Sequence, residues 1–269
     1  MPELPEVETI ARGLRATIVG RIVREAQVLH PAIVRFHPPT SMAGEKIVTV
    51  DRRAKLLRIH LQSGWMAVAH FKMSGRLWVT DSTTTLPQHT HFRALLDDNA
   101  QLLFVDPRRF GFVGLLTPQE WQQWPFARTL GPEPLETPPE ILASRFTGRR
   151  AIKAVLLDQR TIAGVGNIYA DESLFAAGIH PATLARALTP AHRNRLAQAI
   201  RQILQEAIRA GGSTISDYRN AMGDKGLFQE QFAVYGRAGL PCTHCHTPLV
   251  RSHVAGRSTV WCPQCQPLA

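Results

Sequence analysis

No apolar run in the 269-residue chain approaches the ~20 residues that a helix needs to cross a bilayer. The opening stretch MPELPEVETIARGL is acidic and lacks the basic region and apolar core of a secretory signal, so the expected location is the cytoplasm. No internal repeat is evident. Cysteine is scarce, four in all, and every one lies in the last 28 residues, so a chain-wide disulfide framework is excluded. Acidic residues are also short: 21 Asp and Glu face 31 Lys and Arg, a formal net charge of +10. That excess points to a polyanionic partner, of which nucleic acid is the commonest and an anionic membrane surface the alternative. The surplus is even along the chain, 16 basic against 11 acidic residues up to 130 and 15 against 10 beyond, which suggests two units facing the same polyanion.

What is present is organised in three parts. From Arg21 to Leu116, short strand-like runs such as KIVTV, KLLRIHL, WMAVAHF and QLLFVD follow one another without intervening helices, which predicts a sandwich or barrel. GPEPLETPPE at 131–140 reads as a linker. Helical text follows: AIKAVLLDQ and IYADESLFAAG flank the turn RTIAGVGN, and a long amphipathic helix begins at Thr189–Pro190 and stops at Gly211–Gly212. The predicted boundaries are 1–130, 131–237 and 238–269. STISDYRNAMGDKGLFQ, polar and glycine-punctuated, reads as a mobile lid.

Three local features carry chemistry. Pro5, Glu6 and Glu8 suit a helix start, with Val7, Ile10, Ala11, Leu14 and Ile18 as its core-facing stripe. Pro2, however, is small enough for the initiator methionine to be removed, which would leave a secondary amine beside the Glu3 carboxylate. Lys55 shares the parity of Leu57, Ile59 and Leu61, an ammonium at the end of a core-facing row that needs an anion or a route to solvent. Finally, Cys242, Cys245, Cys262 and Cys265 form two CxxC pairs at the ends of a hairpin turning near Ala255 and Gly256, the pattern of one structural zinc ion. Four protein ligands leave no open position for a reacting water. Arg257 lies beside the hairpin tip, where it can reach a phosphate or offset the cluster's negative charge.

PELPEVE, AGVGNIYADE and the four-cysteine hairpin together resemble the bacterial formamidopyrimidine-DNA glycosylases across essentially the whole chain. The resemblance implies an α+β protein: an N-terminal β-sandwich with flanking helices, a helix-two-turns-helix domain and a C-terminal zinc-finger β-hairpin. It implies a monomeric, nucleoid-associated base-excision repair enzyme that removes oxidised purines (8-oxoguanine, formamidopyrimidines) from damaged double-stranded DNA and cleaves the abasic strand by β,δ-elimination. Pro2 would be the nucleophile, Glu3 the acid that protonates the sugar ring oxygen, and Lys55 a pocket lysine touching phosphate or aiding proton transfer. Arg257 would hold the phosphate backbone with Asn167. Met73, Arg108 and Phe110 would fill the void left by the flipped nucleotide. His70, His89 and Lys153 fall in segments that contact phosphate in the family, and Arg149 adds charge. The 213–229 stretch would fold over the everted base. Lys72 stands where glycine is common. The alternatives are the sister enzyme endonuclease VIII, which acts on oxidised pyrimidines, and a non-catalytic zinc-hairpin DNA-binding protein; the two-segment placement of Met73 and DPRRFG favours the purine branch.

Overall fold

The computed structural model describes residues 1–215 and 218–268. The amino-terminal helix α1, Leu4–Ile18, buries the predicted stripe of Val7, Ile10, Ala11, Leu14 and Ile18. Eight strands follow: β1 Val23–Val28, β2 Ile47–Arg53, β3 Leu56–Leu61, β4 Met66–His70, β5 Arg76–Asp81, β6 Thr90–Leu96, β7 Ala100–Val105 and β8 Phe112–Leu116. They form two antiparallel four-stranded sheets, ordered β1-β6-β7-β5 and β2-β3-β4-β8. Of the two architectures the strand pattern allowed, the chain forms the sandwich. The stripe of α1 and inward residues of both sheets, among them Val50, Leu57, Ile59, Leu77, Phe92, Leu102 and Phe104, make one apolar core. Two short helices, α2 Pro118–Gln123 and α3 Pro125–Thr129, follow the last strand. Trp121, Trp124 and Phe126 pack with Leu56, Val68 and Phe112 in a smaller cluster.

Helices α4 Pro139–Ser144, α5 Ile152–Leu157, α6 Asn167–Ala176 and α7 Pro190–Arg209 make up most of a second unit, in which α4 and α6 pack on α7. The unit ends in a hairpin of β9 Val250–Val254 and β10 Arg257–Trp261. Ala255 and Gly256 form its turn with φ of +53° and +70°, as a tight two-residue hairpin connection requires.

The chain divides into Met1–Arg128 with Ala210–Leu227, and Thr129–Arg209 with Phe228–Ala269. The stretch after α7 therefore returns to the sandwich unit rather than staying with the helices that precede it. Its fastenings are specific: Tyr218 donates its hydroxyl to the Glu6 carbonyl of α1 at 3.4 Å, and Val79 of β5 donates its N–H to the Ala221 carbonyl at 3.0 Å. Ser216 and Asp217, within the stretch read as a lid, lie outside the described residues. Among the described residues no helix is long and apolar enough to cross a membrane.

Candidate functional site

Strand register brings most of the predicted site residues of the first unit to one end of the sandwich. Lys55 leads into β3, where Leu56 pairs with His70 at the end of β4, and His70 pairs with Phe112 at the start of β8. In the other sheet Val105, ending β7, pairs with both Arg76 of β5 and Thr90 of β6. The connections 71–75 and 106–111 consequently cross between the sheets side by side, with His89 just before β6. Met73 and Phe110 are 43% and 59% exposed despite being large and apolar, and Arg108 is exposed too. Paired apolar tips held out in water mark a binding surface more than a core.

Glycine makes these crossings possible. A Cβ at Gly75 would lie 2.7 Å from the Phe71 carbonyl oxygen, and one at Gly111 would lie 2.8 Å from that of His70.

The amino terminus reaches the same end. Glu3, 3% exposed, precedes α1 and donates its N–H to Glu6 Oε2 at 2.8 Å. The other oxygen of Glu6 accepts the Ser213 N–H at 2.8 Å, so this buried carboxylate ties the start of α1 to the segment that follows α7. Helix-dipole compensation, the reason read from the sequence for Glu6, is thus only part of its role. Burial lowers the pKa of the terminal amine, Glu3 and Glu6 oppose that shift, and Lys55 and Arg108 reinforce it. Lys55 is itself 6% exposed.

His70, which the resemblance places among the phosphate contacts, is buried and uncharged. It is 7% exposed, its Nδ1 accepts the Lys72 N–H at 3.0 Å, and its ring lies 5.8 Å from that of Phe112. Burial first, then the charges of Lys72, Lys55 and Arg35, lower its pKa to about 3. The ring is neutral at physiological pH, and with Nδ1 accepting, its proton resides on Nε2. Any phosphate contact must use that neutral donor. Lys72 has φ of +49°, a conformation that favours glycine, so the departure noted in the sequence falls where a side chain is strained. His89, half-buried, is likewise left-handed at φ +68°.

In the second unit, Gly164 at φ +86° turns the chain between α5 and α6. Asn167 opens α6 and donates Nδ2 to the Ser258 carbonyl at 3.0 Å, next to the exposed Arg257 at the hairpin tip. Asn167 and Arg257 therefore adjoin. Arg149 is exposed on the bend before α5.

Lys153 is a correction: it is not placed to touch a phosphate. Its side chain is 0% exposed, and Nζ meets Asp171 Oδ1 at 2.6 Å, Thr259 Oγ1 at 2.7 Å and the Ser258 carbonyl at 3.1 Å. Burial pushes the Asp171 carboxyl up to about 6, with Lys153 acting in the other direction. The pair fastens β10 to α5 and α6. Next to it, Glu172 is 2% exposed and accepts the N–H groups of Ala233, Val234 and Tyr235 at 2.7–3.0 Å, pinning the chain that leads to the hairpin. These buried acids, together with Asp106 of the DPRRFG turn, escape the sequence reading. The available signal was weak: an acid flanked by apolar residues, as in IYADESLF and LLFVDPRR.

Cys242, Cys245, Cys262 and Cys265 converge, with every ligand sulfur within 4.8 Å of the others and no disulfide among them. The pairs Cys242–Cys265 and Cys245–Cys262 are 3.9 and 3.4 Å apart. A tetrahedron with Zn–S bonds of ~2.3 Å puts its sulfurs about 3.8 Å apart, so the four fit one structural zinc ion.

Three family models match the chain in order. Residues 1–113 match the family model of the formamidopyrimidine-DNA glycosylase N-terminal domain, 130–219 that of the formamidopyrimidine-DNA glycosylase H2TH domain, and 239–268 that of the zinc finger found in FPG and IleRS. A formamidopyrimidine-DNA glycosylase of Chloroflexus aurantiacus is 45% identical over 273 residues, covering 99% of this chain and 98% of the relative. One from Desulfitobacterium hafniense is 43% identical over 276 residues, covering 99% and 100%. Among solved structures, the MutM (FPG) protein of Thermus thermophilus superposes with a TM-score of 0.88 at 43% identity over all of both chains. The Lactococcus lactis Fpg in complex with DNA containing an abasic site gives 0.90 at 32% identity, covering 98% and 99%.

Proposed function

The chain belongs to the formamidopyrimidine-DNA glycosylase family, base-excision repair enzymes that are both DNA glycosylases and abasic-site lyases, and we propose that it excises oxidised purines through a covalent bond to Pro2. The observation that carries the reading is the burial of the amino terminus. Burial lowers the pKa of the terminal amine in spite of Glu3 and Glu6, with Lys55 and Arg108 adding to the shift, and a lower pKa leaves more of the amine neutral and nucleophilic. With Met1 removed, the terminal amine becomes that of Pro2, a residue that is itself buried beside Glu3.

Its lone pair attacks the anomeric carbon of the flipped nucleotide, the bond to the base breaks, and Glu3 protonates the ring oxygen as the sugar opens. A secondary amine yields an iminium that has no N–H proton to lose. It therefore remains an electron sink while the 3′ and then the 5′ phosphate leave, which is β,δ-elimination. Lys55 stabilises an adjoining phosphate or moves a proton. Met73, Arg108 and Phe110 enter the helix where the nucleotide left, and their placement on two adjacent crossings suits the purine-specific branch. Neutral His70, His89, Arg149, Asn167 and Arg257 hold phosphates. One amide proton of Asn167 binds Ser258, which leaves the second for DNA. The Lactococcus lactis relative was solved with abasic-site DNA, which supports damaged DNA as the ligand here. Bacterial nucleoid DNA in the cytoplasm is the substrate pool that this chemistry requires.

Borohydride trapping on duplexes carrying 8-oxoguanine or an oxidised pyrimidine tests the reading. The expected result is a covalent adduct on the first, strongly reduced in Pro2→Gly while duplex binding persists. Adducts on the pyrimidine alone would assign the sister activity, and unchanged turnover in Pro2→Gly would remove the nucleophile.

A further inference from the structure

Besides Ala54 before Lys55, at φ +54°, three connections at the working end of the sandwich each contain one non-glycine residue in the left-handed region: Lys72 at φ +49°, His89 at +68° and Arg109 at +56°. Each lies at, or next to, a side chain offered to solvent. Such conformations persist only where the surroundings over-determine them.

One residue, Asp106, 0% exposed, hydrogen-bonds to all three connections. Its Oδ1 accepts the Ser74 hydroxyl, from the residue after Met73, and the Arg108 N–H at 3.3 Å. Its Oδ2 accepts the Gly111 N–H, next to Phe110, at 2.7 Å. The backbone of the same residue reaches the third connection: the Asp106 N–H donates to the His89 carbonyl at 3.1 Å, and the Asp106 carbonyl meets His91 Nε2 at 2.8 Å. One buried carboxylate thus links the Met73 crossing to the Arg108–Phe110 crossing, and its main chain holds the segment that carries His89.

We propose that Asp106 is the positioning residue that fixes the spacing of Met73, Arg108 and Phe110, so that the three enter the duplex together and discriminate the base opposite the lesion. The inference rests on the reading that these three fill the void. An acid is required because three donors from two separate connections converge on it. A carboxylate offers acceptor sites on both oxygens, whereas an amide replaces one oxygen by a donor. Asp106→Asn keeps the shape but cannot accept all three donors: with its oxygen turned to Gly111, its Nδ2 holds Ser74 only by donating to the hydroxyl and offers the Arg108 N–H no acceptor.

The test compares single-turnover excision of 8-oxoguanine opposite cytosine and opposite adenine with borohydride trapping on a single-stranded abasic oligonucleotide, which has no void to fill. Losing hydrogen bonds to a buried charge predicts that Asp106→Asn slows the duplex reaction opposite cytosine about tenfold or more, changes single-strand trapping by no more than about twofold, and narrows the cytosine-to-adenine ratio. Ser74→Ala, which frees only the Met73 crossing, shifts the same ratios less. Equal losses on duplex and single strand at an unchanged melting temperature would overturn the proposal, as would unchanged ratios in both variants. If Asp106→Asn fails to fold, Ser74→Ala decides by the same criterion. Met73→Ala and Phe110→Ala separate the premise from the inference. If neither slows the duplex reaction, the void-filling reading fails; if they do and the Asp106 and Ser74 variants leave the ratios unchanged, the inference fails alone.

Discussion

Replacing Lys153 with methionine removes an ammonium with no access to solvent and leaves a thioether beside the Asp171 carboxyl, 2.6 Å from the original charge. In the native protein, burial raises Asp171 to about 6 and Lys153 opposes the rise. Without Lys153 that opposition ends, and the folded-state carboxyl moves further above the ~3.9 of an unfolded aspartate. A carboxyl raised on folding detracts from stability above its unfolded pKa, increasingly with pH until the folded value is passed. At pH 8 the variant must keep an unpaired buried charge or take up a proton, and the expected loss is about 3–5 kcal/mol. At pH 5, a full unit below that value, Asp171 is largely protonated in both proteins. The difference then shrinks toward the lysine's bonds to Thr259 and Ser258, about 1–2 kcal/mol. For a chain of this size these losses lower the melting temperature by roughly 6–20 °C and a few degrees, respectively. Calorimetry of zinc-loaded protein at the two pH values reads the contrast, and Lys153→Met combined with Asp171→Leu should recover most of the pH 8 loss. Equal losses at both pH values, or a double variant as unstable as the single one, would refute the reasoning. A fall of about 0.9 in the salt slope of DNA binding would instead make Lys153 a phosphate ligand.

Lys72→Gly and Lys72→Ala both remove the ammonium, but only glycine relieves the +49° backbone, so the glycine variant should be the more stable by about 1 kcal/mol in urea titration. Equal midpoints would show that no strain is stored there. The His70 ring should stay neutral in NMR titration from pH 8 to about 4.5, because its pKa lies near 3. Its unfolded pKa is higher, so the stability it contributes is fully present above about 6.5 and is lost as pH falls toward 3, by up to about 1.4 kcal/mol per unit. An imidazole titrating near 6.5 would contradict the buried tautomer. Cys262→Ser should release the zinc, unfold the β9–β10 hairpin and abolish duplex binding; active native protein free of zinc by metal analysis would remove the assignment.

Some features were legible because they are local. The stripe of α1, the alternating strands, the Ala255–Gly256 turn and the paired CxxC knuckles each depend on residues close in the chain, whose spacing dictates which face or ligand set they share. Pro2 and Glu3 were visible for the same reason, as neighbours with complementary chemistry. Tertiary structure alone decided between sandwich and barrel, because closure depends on how β1 and β8 end their sheets, a matter of long-range pairing. It alone returned residues 210–227 to the first unit, since Glu6 and Ser213 lie far apart in sequence and meet only in the fold. The same holds for the cations. The family resemblance implied that Lys153 meets phosphate, yet an ammonium's role follows from whether water or a carboxylate surrounds it. Asp171 removed Lys153 from the surface, and the Phe112 ring and neighbouring charges left His70 neutral. Sequence specifies which groups are available; packing sets the dielectric and the partners that determine their charge, and no reading of one chain position contains those.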